Sequence, residues 1–250
     1  PANGSRIRVR SEGNRWYIEG LSISQVRANK LLTELALSRL RALHVHSFVP
    51  DSEGASARAA LANPPLRITI EGTNRRETLL LGPPAPRPPE AEASAATSAT
   101  DDPPEPSTLY YALMEADEIE SSGEATLFTV SVPDAFLKDT LLNAQLALRE
   151  KQILDLDPTT LSSIAITPAQ SREETILQRL ESSASNDWQV VRRSPDQPPV
   201  SEPAERALVE RLVTTLLRLS AEEFIDVASE AQKEAFGFNV PARTLTFTTT

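Results

Sequence analysis

His44 and His46 are the only histidines in the chain. On a strand, their spacing would set both rings on one face, as a metal site requires. No third histidine completes the set, and Asp51 stands at no motif spacing from the pair, so both are expected on the surface without a metal. The acidic run Glu115, Asp117, Glu118, Glu120 and Glu124 offers carboxylates for calcium. It lacks the alternating Asp or Asn, central Gly and terminal bidentate Glu of a calcium loop, which leaves a solvated hairpin tip. Arg6, Arg8 and Arg10 alternate, so they project from one side of a strand, with Arg15 and Arg27 close in sequence. This basic patch could meet anionic lipid or an acidic partner, although one polar side is ordinary for an antiparallel strand. Trp16 and Trp188 could stack on a ligand, but each precedes a helix in the same way, and covering a sheet-helix core explains them more simply.

Cysteine is absent, which removes thiol nucleophiles, disulfides and cysteine-ligated zinc and fits a reducing or an oxidising compartment equally. There is no nucleophile elbow, Walker loop, dinucleotide glycine pattern or HExxH, and eight glycines leave little material for phosphate cradles. No catalytic, cofactor-binding or metal-ligating residue is therefore assigned, and the chain is expected to be non-enzymatic.

The elements that would position these residues follow from periodicity and composition. The 250 residues carry a net charge of -10, which argues against a nucleic-acid partner. The charge is uneven: residues 1–80 sum to +5 and the remainder to -15. No run approaches the ~20 apolar residues of a spanning helix. Residues 83–107 hold eight of the twenty prolines and no aromatic residue, the composition of a mobile linker. A PxxP ligand over Pro83 to Pro89 is the sharper alternative to a plain spacer.

Sliding the chain along itself exposes a duplication at an offset of 176 residues. Ala28, Leu32, Glu34, Leu40, Leu43, Phe48, Ala55, Ala59, Asn63, Pro65 and Arg67 fall on Ala204, Leu208, Glu210, Leu216, Leu219, Phe224, Ala231, Ala235, Asn239, Pro241 and Arg243, eleven identities in forty gapless positions. In each copy a leucine stripe lines one helix face: Leu32, Ala36, Leu40, Leu43 and Leu208, Leu212, Leu216, Leu219. The first helix has a capping box in Ser22 and Gln25. The second starts at Ser201, with Glu202 and Pro203 in its first turn. Alternating residues predict a hairpin over Arg6–Arg10 and Arg15–Ile18, and strands at 66–71, 78–82, 109–114, 127–132, 163–167, 175–180, 187–191 and 242–248. A further helix is expected from Pro133 to Ile153.

The fold class is thus α+β: two related antiparallel sheet-plus-helix units, the second copy truncated at Thr250. The expected division is a first unit at 1–82, the linker at 83–107, a strand-strand-helix segment at 108–157 completing that unit, and the second unit at 158–250.

The Trp188 strand before the Leu208–Leu219 helix, Phe224 at its end, and Phe236-Gly-Phe-Asn-Val-Pro241 together resemble the bacterial domain of unknown function 4340 family. The passage from Leu146-Ala-Leu-Arg to Asp157 ahead of Ser163-Ile-Ala-Ile166 is similar to that family's run before a strand. The first copy departs from the pattern, with Leu61 where Gly237 stands. The resemblance implies an extracytoplasmic protein, anchored to the membrane through a segment outside this chain. It also implies association with auxiliary parts of ABC-type transporters and gliding-motility systems. The expected function is a non-enzymatic interaction or scaffold module with a protein partner such as transporter subunits. The alternative is a peptide- or glycan-binding module with a groove between the units, which low aromatic content disfavours.

Overall fold

The computed structural model describes residues 6–20, 25–73, 75–86, 105–116, 126–169, 172–180, 187–225 and 228–250. It is a mixed fold of helices and three antiparallel sheets, and the chain divides into two compact units, Pro1–Glu150 and Lys151–Thr250.

The first unit opens with the expected hairpin, β1 (Ile7–Glu12) and β2 (Arg15–Gly20), closed by a two-residue turn in which Gly13 takes φ 59°. A positive φ at this position matches the twist of the flanking strands and favours glycine. β3 (Val26–Ala28) completes a three-stranded sheet. Its apolar face, including Ile18 and Ala28, enters the main core.

The helix α1 (Lys30–Arg41) begins later than the Ser22/Gln25 capping box implied. Asn29 caps it, its Oδ1 accepting from the Leu32 N–H at 3.0 Å. Gln25 lies before β3, and Ser22 lies outside the described residues. The strand was missed because three residues are too few to show a period.

β4 (Val45–Phe48), α2 (Asp51–Leu61), β5 (Leu66–Glu71), β6 (Arg76–Pro84), β7 (Ser107–Ala116) and β8 (Leu127–Pro133) follow. Their strands form one sheet in the order β4-β8-β7-β6-β5. Pro83 and Pro84, expected in the linker, belong to β6, where Pro84 pairs with Tyr110. Ser107, expected as the last linker residue, opens β7, and linker residues 87–104 lie outside the described residues.

Adjacent side chains of this sheet serve opposite faces. Leu81, Ala112, Val130 and Val132 join the core shared with α1 and the small sheet. Leu80 and Leu127 meet Ala57 and Leu61 of α2 on the other face. The α2 contact is close: a Cβ added to Gly82 would lie 3.0 Å from Leu61 Cδ2 and 3.2 Å from the Tyr111 carbonyl oxygen.

The continuous helix expected over Pro133–Ile153 is two short pieces. α3 (Phe136–Leu141) is wound as a π-helix and α4 (Ala144–Ala147) is a single turn. The chain then leaves the helix because Arg149 bridges to Ala28 and the Glu150 N–H donates to the Arg27 carbonyl at 2.9 Å. Pairing with the edge of β3 satisfies these backbone groups in place of another helical turn.

In the second unit β9 (Leu161–Pro168), β10 (Glu174–Arg179), β11 (Trp188–Ser194), β12 (Gln197–Pro203) and β13 (Arg243–Thr249) form a sheet in the order β12-β11-β10-β9-β13. The helix α5 (Arg206–Leu217) packs on one face through Val209, Leu212, Val213 and Leu216, over Ile164, Leu177 and Trp188. Residues Ser201 to Pro203 belong to β12 and not to the helix as expected; Glu205 is the N-cap. Proline lacks a ladder donor, and β12 is an edge strand, the place in a sheet where prolines are tolerated. α6 (Glu230–Ala235) has a capping box from Ser229 and Gln232 but buries none of its residues.

Candidate functional site

A cleft of about 440 Å³ lies in the second unit between the turn before β9, the end of β10, the start of β11 and α5. Its floor is set by a turn at Asp157. Asp157 Oδ1 accepts from the Thr159 hydroxyl at 2.6 Å and from the Thr159 N–H at 2.8 Å. These two bonds, the hydroxyl first, hold the Asp157 carboxyl below its ordinary value.

The turn aims two carbonyls at Arg179, whose amino groups donate to Pro158 O at 2.9 Å and Thr159 O at 2.7 Å. The guanidinium lies over the ring of buried Trp188, 5.1 Å from its centroid. Arg179 Nε is buried with no hydrogen-bond partner among the described residues. Across the cleft Arg206 Nε donates to Glu210 Oε1 at 2.6 Å, which raises the Arg206 pKa. Arg179 therefore spends its charge on backbone and indole, a structural clamp, while Arg206 and Glu210 are the groups a polar ligand would meet.

In the first unit a smaller cleft of about 120 Å³ runs between α1 and the helical pieces after β8, lined by Leu32, Leu35, Ala36 and Phe136. Arg39 sits at its side with its guanidinium carbon 5.7 Å from the Phe136 ring centroid. The most exposed apolar surface of the second unit follows α6. Phe236 is 54% exposed, Phe238 72% and Val240 69%. The two rings meet edge to face with centroids 6.4 Å apart. Gly237 between them takes φ 78°, the left-handed conformation common just past a helix end.

The residues singled out in the sequence are dispersed. His44 precedes β4, and His46 is the extra residue of a bulge between Val45 and Ser47, so the alternation that would align the rings is broken. Both histidines are exposed, and no group of three His, Asp or Glu suited to a metal occurs among the described residues. Of the acidic run, Glu115 lies on β7 and pairs with Arg67 at 3.8 Å; the other four residues lie outside the described residues.

The arginine row does lie on the polar side of β1. It is interleaved with acids: Arg10 bridges to Glu12 and to Glu19, and Arg8 to Glu71. Trp16 packs on the first core and Trp188 on the second, as their shared place before the helix predicts. Sequence reasoning missed the cleft residues Arg179, Arg206 and Glu210. They meet only through tertiary contact, and the sole local signal is the Asp157-Pro-Thr turn.

No family model, no curated protein and no solved structure matches the chain.

Proposed function

We propose that this chain is a non-enzymatic interaction or scaffold module made of two related sheet-and-helix units, acting through a protein partner. The observation that carries the reading is the exposed Phe236, Phe238 and Val240 surface. Large apolar side chains clustered in water mark contact sites in soluble domains, and aromatic residues are the usual anchors of such contacts.

The relation between the units is supported by their element boundaries. An offset of 176 carries α1 (Lys30–Arg41) onto α5 (Arg206–Leu217), and the cap Asn29 onto the cap Glu205. The most buried side chains of the two helices, Thr33 and Val209, are also equivalent. The extracytoplasmic, membrane-anchored setting and the ABC-type transport partner rest on the family resemblance of the residues alone.

The test is cross-linking of the full-length protein in its native membrane, followed by recovery in the presence of excess 250-residue chain. Transporter subunits are expected to be enriched and to be displaced by the wild-type competitor, while a Phe236→Ser, Phe238→Ser competitor fails to displace them. Recovery without any competed transporter subunit refutes the reading. The second reading, a peptide- or glycan-binding module, draws on the Arg206 and Glu210 cleft. It predicts that a peptide or glycan hit from a screen loses affinity in Glu210→Gln.

A further inference from the structure

We draw no further inference here: the strongest candidate, the apolar groove of the first unit between α1 and the helical pieces α3 and α4, lined by Leu32, Leu35, Ala147 and Leu148, carries nothing because nothing in the structure shows what covers it.

Discussion

The helices α2 and α6 overlap when the sequence is shifted by 176 residues, yet one buries side chains against its sheet and the other buries none. α2 holds Ala57 and Leu61 buried against Leu80 and Leu127, and Gly82 lets the helix come within van der Waals distance of the sheet. At the 176-residue offset, Ala57 becomes Lys233 and Leu61 becomes Gly237. No atom of the described residues lies within 4 Å of the position a Gly237 Cβ would take. Where α2 has its two anchors, the shifted positions hold a charged side chain and a helix-ending glycine. The lesson is that the packing of a helix is decided by single positions on one face.

The strongest way to break this comparison is Leu61→Ala. Removing a buried leucine side chain leaves a cavity and costs about 2–5 kcal/mol. Amide exchange is expected to quicken across β6, β7 and β8 and to stay unchanged in β9 to β13; equal loss in both units would refute the assignment of Leu61 to a local core.

A second comparison sharpens the pair α1 and α5. Thr33 and Val209 are the most buried positions of their helices, and Thr33 Oγ1 has no hydrogen-bond partner among the described residues. Exchanging the two should act in opposite directions. Thr33→Val removes a buried unsatisfied hydroxyl and is expected to raise stability by about 1 kcal/mol, while Val209→Thr inserts one and costs about 1–3 kcal/mol. Chemical denaturation of each variant reads the sign, and two shifts of the same sign would refute the equivalence.

The smallest effect belongs to Gly237→Ala. An alanine held at φ 78° costs about 1 kcal/mol, and because α6 buries nothing the loss should appear as fraying of residues 230–240 with no change in the global midpoint. Loss of the global midpoint would show that α6 supports the core of its unit.

Much of this architecture was legible because it is local. The Arg6–Arg10 alternation and the two-residue turn with Gly13 define the first hairpin without reference to anything distant. Leu127–Val132 and Ser163–Thr167 show their strands by apolar β-branched composition. The candidate cleft was not legible. Arg179 and Arg206 stand 27 positions apart on a strand and a helix whose meeting no local pattern encodes. The aromatic turn at Phe236 and Phe238 was visible as a motif, but its exposure depends on α6 lacking the leucine that α2 has.

The sequence by itself determined the strongly periodic elements, the first hairpin, the leucine-striped helices α1 and α5 and most of the long strands, because backbone propensity and a period of two or 3.6 residues act over a few neighbours. The tertiary structure decided which face of each helix is buried. The leucine stripe marks Leu32 and Leu208 as core, yet both are more than two-fifths exposed, and the buried centre is one residue further on, at Thr33 and Val209. It also decided that residues 149 and 150 leave a helix to pair with β3, and that the proline-bearing run from 197 to 203 lies flat at a sheet edge. Each of these outcomes depends on which distant backbone or side chain is available to satisfy a polar group or cover an apolar one, and only the folded chain brings those partners together.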